Sequence, residues 1–149
     1  MDEVYYFAYG SNLNIFQMLK RVGEWTTSKR AYLEGHKLIF NFESRRWGGN
    51  TANIQKTGNI QDRVYGVIYL LKEEKIAVLT NYEGPDSGPH YTDVKLEDGS
   101  VIHHVAVYRW DSKEPSEKPP KAYQDTILEG LIQHGYPQDV TEQVQREFS

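Results

Sequence analysis

Val4-Tyr5-Tyr6-Phe7-Ala8-Tyr9-Gly10-Ser11-Asn12-Leu13 carries a change of pattern that orders the rest of the chain. From Val4 to Ala8 the run is continuously apolar and aromatic, as befits a strand buried on both faces. Gly10-Ser11-Asn12 then reads as a turn, and Leu13, Phe16 and Leu19 recur at three-residue spacing as the face of a helix capped by Ser11 or Asn12. A strand turning tightly into a helix aims free backbone N–H groups at one point, and the helix dipole adds positive potential there. Such a turn suits a carboxylate or an oxyanion, although the same residues also serve as a plain turn and cap.

Outward from this stretch the pattern is mostly of strands. Residues 31–42 alternate around Gly35 as one bent strand or a pair. Arg45-Arg46-Trp47-Gly48-Gly49-Asn50 is a glycine-punctuated loop, and Thr51 to Gln55 continues as a strand. Val64 to Leu71 is the clearest strand, with Gly66 marking a bulge or a close approach. From Lys72 to Tyr82 the period changes. Ile76, Leu79 and Tyr82 lie at three-residue spacing opposite Glu73, Glu74 and Lys75, which predicts a short amphipathic helix ended by Glu83-Gly84-Pro85. Tyr91 to Leu96 and Ile102 to Trp110 pair around Glu97-Asp98-Gly99-Ser100. Residues 111–120 are proline-rich and charged, a surface excursion; Ala122 to Gln133 and Val140 to Phe148 are helical, split at Gly135-Tyr136-Pro137. Hairpin-like spacing outweighs βαβ alternation. The expected fold is α+β, a small, mostly antiparallel β-barrel with flanking helices, in a single domain over residues 1–149.

Composition narrows the function. At 149 residues the chain is sized for one core, and its apolar fraction with the 12 glycines, about 46%, is that of a globular domain. Mean hydropathy is -0.69, and no stretch approaches the ~18 apolar residues of a membrane span. The acidic start lacks a signal core, so the expected location is cytoplasmic. With no cysteine, disulfides, thiolate nucleophiles, zinc ribbons and iron–sulfur clusters are excluded. A net charge of -4 argues against nucleic acid as the main partner. A small molecule is the expected one.

Few residues can carry chemistry. Glu83, flanked by Tyr82 and Tyr91, is a carboxyl among rings, and partial desolvation raises its pKa toward neutrality so that it can take and return a proton. The five histidines show no metal-ligand spacing, and His103-His104 in a strand point to opposite faces. Ser11 lacks the G-x-S-x-G elbow of a hydrolase, and Gly48-Gly49 lacks the Gly-Lys-Ser/Thr of a phosphate loop. Arg45-Arg46 beside Trp47 can bind an anion, though a solvated basic loop is the commoner case.

Taken together, YFAYGSNL (Tyr6 to Leu13), the GG-x-T-A-x-I segment at Gly48 to Ile54, VYGVIY (Val64 to Tyr69), L-x-x-Y-E-G (Leu79 to Gly84), Ser87-Gly88 to Tyr91 and PPKAY (Pro119 to Tyr123) resemble the γ-glutamylcyclotransferases in content and order. The resemblance implies a small barrel with its active site in a cavity at one end. It implies that Tyr9, Gly10, Ser11, Asn12 and Leu13 form the substrate-binding loop, that Glu83 is the catalytic acid/base, and that Tyr91 and Tyr123 contact substrate. Many relatives carry Asp where this chain has Thr80, which bears on how the site is supported. The implied reaction closes a γ-glutamyl group into 5-oxoproline by attack of its own α-amine, with no metal and no cofactor. The leaving amine stays open between a γ-glutamyl amino acid, a γ-glutamylamine and a larger biosynthetic intermediate. A non-catalytic γ-glutamyl-binding module is the rival of another class, and a homodimer is compatible with either.

Overall fold

The computed structural model describes residues 2–84 and 88–149. Pro85, Asp86 and Ser87, part of the expected loop after Glu83, lie outside the described residues.

Five strands close into a barrel in the order β1 (Glu3–Ala8), β5 (Arg63–Lys72), β2 (Thr27–Glu34), β6 (His90–Leu96) and β7 (Val101–Val107). All neighbours run antiparallel except β1 and β7, whose parallel contact at Tyr6 and Ala106 completes the ring. The expectation of a mostly antiparallel barrel therefore holds. β3 (His36–Ser44) and β4 (Gly49–Lys56) form a separate antiparallel hairpin. Residues 31–42 are thus a pair of strands, divided at Gly35, whose φ of 74° suits a residue without a Cβ.

β5 is central because it pairs on both sides. Its Gly66 sits opposite Ala31 with no break in register, so it marks a close approach and not a bulge. A Cβ there would lie 2.2 Å from the Ala8 carbonyl oxygen and 2.7 Å from the Phe7 ring. Phe7, Tyr69, Leu71 and Val105 are wholly buried, and since Phe7 pairs with Ile68 and Tyr6 with Tyr69, both faces of the barrel wall are covered. Around it stand α1 (Ile15–Val22), α2 (Glu74–Glu83), α3 (Lys121–Gln133) and α4 (Gln138–Glu147). α3 contributes Tyr123, Ile127 and Leu131 to the core, and Phe148 after α4 meets Phe40 edge to face. Residues 111–116 are a surface excursion, but Asn41 Nδ2 donates to the carbonyls of Ser112 and Glu114 and straps the segment to the hairpin.

Two local expectations are corrected. Ser11–Leu13 forms one 3-10 turn, and α1 starts only at Ile15. A turn of three residues in place of 3.6 shifts the phase, so Met18 and Val22 face inward while Phe16 and Leu19 are exposed. The cap is Asn14, not Ser11 or Asn12: its Oδ1 accepts from the N–H groups of Phe16 and Gln17 at 3.1 and 3.3 Å. Its Nδ2 also donates to Thr126 O at 3.2 Å, joining α1 to α3. Asn14→Ala is expected to lower stability by about 1–2 kcal/mol, measured as a lower urea midpoint with an unchanged slope. The second correction concerns His103 and His104. The β6–β7 register shifts between Thr92 and Val94, and both histidines are exposed. His104 adopts a φ of 59° there, so the strict alternation of an even strand is lost.

Candidate active site

β1 delivers Tyr9 and Gly10 to one end of the barrel, and the 3-10 turn that follows buries Ser11 and Asn12 beside the C-terminal end of α2. A hollow opens there between the turn, α1, α2, the β3–β4 hairpin and α3. Its walls include Tyr6, Tyr9, Gly10, Ser11, Asn12, Arg21, Arg46, Trp47, Tyr82, Glu83, Tyr108 and Tyr123.

Asn12 is the hub. Its Nδ2 donates to the Tyr6 hydroxyl at 2.9 Å and to Glu83 Oε1 at 3.3 Å. Its Oδ1 accepts from Gln17 Nε2 at 3.1 Å and from Arg21 Nη1 at 3.0 Å. Donors on one side and acceptors on the other fix the amide in one orientation. Its backbone carbonyl accepts from the Tyr69 hydroxyl at 3.0 Å. Ser11 is held in the same way, since its Oγ accepts from Gln17 Nε2 at 2.6 Å.

Glu83 is the last residue of α2, placed by the inward packing of Ile76 and Leu79. Burial raises its carboxyl to a pKa of about 7, against a partial offset from the Arg21 and Arg46 guanidiniums. The helix dipole acts with the burial, because the carbonyl end of a helix disfavours negative charge. The two guanidiniums lie over the Tyr82 ring, 4.5 and 5.0 Å from its centroid.

Tyrosines frame the rest of the hollow. The Tyr123 hydroxyl accepts from the Ala52 N–H at 2.9 Å, and its ring meets Trp47 edge to face. A Cβ on Gly10 would come within 2.8 Å of that hydroxyl, so the turn and α3 touch where glycine allows it. Tyr9 donates its hydroxyl to the Tyr108 carbonyl. The Tyr108 hydroxyl donates to Ile76 O at 3.0 Å, meets Thr80 Oγ1 at 2.8 Å, and is pushed up to about 12, chiefly by burial. Thr80, where relatives were expected to carry Asp, therefore acts as a neutral tie between α2 and the end of β7. Among the described residues, no acceptor meets the N–H groups of Gly10 or Asn12.

Of the expected site residues, the structure brings Tyr9, Gly10, Ser11, Asn12, Glu83 and Tyr123 to one hollow. Leu13 and Tyr91 are corrections. Leu13 is buried behind the turn, packed where α3 crosses at Gly130, with its carbonyl 2.9 Å from His134 Nε2. Tyr91 pairs with Ala106 in the β6–β7 ladder, is 47% exposed, and stacks on His104 at 4.3 Å. It lines a second, wider hollow of about 880 Å³ between the hairpin and the barrel. Tyr6, Arg21, Tyr82 and Tyr108 belong to the site and were not singled out as candidates. Among the described residues no group of three or more His, Asp or Glu side chains could hold a metal ion. No helix is long and apolar enough to cross a membrane, again among the described residues.

The family model for gamma-glutamyl cyclotransferase, AIG2-like, matches residues 6–128, a span that takes in the turn, Glu83 and Tyr123. The chain belongs to the AIG2-like gamma-glutamyl cyclotransferase family. Within that family it is similar to the gamma-glutamylcyclotransferase of Mus musculus, 30% identical over 148 residues, 93% of this chain and 76% of the relative. The Bos taurus gamma-glutamylcyclotransferase is 30% identical over 139 residues, 89% of this chain and 72% of the relative. A solved structure of a gamma-glutamyl cyclotransferase superposes with a TM-score of 0.85 at 26% identity, covering 97% of this chain and 87% of that one.

Proposed function

We propose that this AIG2-like cyclotransferase releases 5-oxoproline from a γ-glutamyl compound by attack of the substrate's own α-amine on its γ-carbonyl. The observation that carries this reading is the Glu83 carboxyl, held by Asn12 at the hollow and raised to about 7. A carboxyl at that pKa both accepts and donates a proton near neutral pH, and a binding module has no use for one.

The α-amine reaches the site as an ammonium and must lose a proton before it attacks. Glu83 takes that proton as the N–C bond forms and the γ-carbonyl becomes a tetrahedral oxyanion. It gives that proton to the leaving nitrogen as the old C–N bond breaks and takes up the second proton of the attacking nitrogen, which passes to the departing amine, so the products are the neutral five-membered lactam and an ammonium. No outside nucleophile enters. The rate gain comes from holding the glutamyl chain curled, where intramolecular reactions reach effective molarities of ~10⁵ M or more. Gly10, Ser11 and Asn12 supply the polar wall for the α-carboxylate or the oxyanion, and the rings of Tyr9 and Tyr123 enclose the chain.

The direct test is to incubate the protein with γ-glutamyl amino acids, γ-glutamylamines and γ-glutamyl isopeptides and to quantify 5-oxoproline and the freed amine. At least one class is expected to give the two in equal amounts. Release of glutamate in place of 5-oxoproline, or no release from any class, overturns the proposal.

A further inference from the structure

The mouth of the hollow carries more positive charge than the reaction above uses. Arg21 and Arg46 both lie over Tyr82, so their guanidinium centres are within about 10 Å of each other. Arg21 is committed: one of its nitrogens donates to Asn12 Oδ1, which ties it to the turn. Arg46 is not. It lies in the β3–β4 loop, it is exposed, and among the described residues it makes no hydrogen bond or ion pair beyond its place over the ring. A guanidinium stacked on an aromatic face keeps its edge donors free, in a planar fork that matches a carboxylate.

A γ-glutamyl amino acid brings two carboxylates, one on the glutamyl unit and one on the amine that leaves. Their carbon atoms are seven bonds apart, which spans about 9 Å at full extension and less when the chain is curled. A γ-glutamylamine brings only the first. Arg46, on the wall of the hollow with its edge donors free, thus has a second carboxylate to meet only in the substrate that carries two. Resting on the cyclotransferase reading, we propose that Arg46 is a specificity-determining residue that binds the carboxylate of a leaving amino acid and so discriminates it from a leaving amine that lacks one. Among the described residues Glu83 is the only acidic side chain lining the hollow, so a second carboxylate meets no fixed negative charge at Arg46.

The test compares γ-glutamyl-L-alanine with γ-glutamylethylamine, which differ by that carboxylate alone. The wild type is expected to favour the alanine compound. Arg46→Gln is expected to lower kcat/KM for it by about 10- to 100-fold, mainly through KM, and to change the ethylamine compound by less than about 3-fold. Arg46→Lys is expected to recover part of the loss, and Arg45→Gln, off the hollow's wall, to change neither. Equal losses on both compounds, or no loss on either, overturn the assignment. Calorimetric binding of the same two compounds to wild type and Arg46→Gln separates the two proposals. A wild type that releases no 5-oxoproline from either compound, nor from the other γ-glutamyl amino acids, γ-glutamylamines and isopeptides, overturns the cyclotransferase reading. The Arg46 assignment then stands if the wild type binds the alanine compound more tightly and the variant does not, and it falls if the variant keeps the preference.

Discussion

Glu83→Gln is expected to lower 5-oxoproline release by roughly 10²- to 10⁴-fold, the usual contribution of a positioned acid/base, while leaving the site assembled. Glutamine is isosteric and keeps an oxygen to accept from Asn12 Nδ2, so the variant deletes proton transfer and little else. Wild-type kcat/KM is expected to rise with pH through about 7, as the carboxyl becomes the base that takes the ammonium proton, and that limb should vanish in the residual activity of the variant. Stability should respond in the opposite sense. A carboxyl raised from 4.5 to about 7 by folding is protonated in both states at low pH. Between those values the unfolded chain ionises first, so stability is lost as pH rises through the interval and the loss is complete above it. Glutamine has no charge to bury, so the melting temperature of Glu83→Gln relative to wild type should be higher at pH 8 than at pH 4.5. A variant that turns over at near wild-type rates removes Glu83 from the mechanism; one that melts earlier at pH 8 argues that the carboxyl is not strained by its surroundings.

Much of this architecture is legible from local pattern because local pattern is where strong restrictions act. β5 reads plainly since Val64, Val67, Ile68, Tyr69 and Leu71 are all buried, and Gly66 stands out because only glycine fits against Ala8 and Phe7. The start of β2 is hidden for the converse reason. Thr27 to Lys29 are polar and exposed while their backbone pairs with β5, so no apolar alternation marks them. Strand order, and with it closure of the barrel by β1 against β7, depends on pairings about a hundred residues apart that no window of sequence contains.

The site divides along the same line. The turn and Glu83 are visible because each sits at a change of period, from strand to helix and from helix to loop. Arg21 reads as an ordinary cation in the last turn of a helix, and its bond to Asn12 exists only because the 3-10 turn folds α1 back over that residue. Tyr91 misleads for a related reason. Closeness to Glu83 in sequence does not survive a strand register that stacks its ring on His104.

Gly130→Ala is the second large effect, and its sign runs against helix propensity. In the middle of α3, alanine for glycine ordinarily stabilises by about 1 kcal/mol. Here the new methyl would lie 2.5 Å from the Leu13 carbonyl carbon and 2.6 Å from the Asn14 nitrogen. Both are backbone atoms and cannot rotate away, so α3 or the turn must move. Overpacking of this kind typically costs 1–3 kcal/mol, occasionally more, and the expected net loss is about 2 kcal/mol after the propensity gain, read from urea unfolding. Activity should fall further than stability. The atoms displaced follow Ser11 and Asn12 directly in the chain, and Asn12 holds the Glu83 carboxyl, so a shift of a fraction of an ångström reaches the proton-transfer geometry. A misplacement near 1 Å can cost ~10²-fold, and a fall of at least about 10-fold in kcat is expected from the folded variant at 20 °C below its melting point. Gly66→Ala provides the contrast, because its clash with Ala8 and Phe7 lies in the barrel wall and should cost stability at least as heavily. If Gly130→Ala proves neutral or stabilising and fully active, the contact between α3 and the turn does not set the site, and the positions of Asn12 and Glu83 must be fixed from β1 and α2 alone.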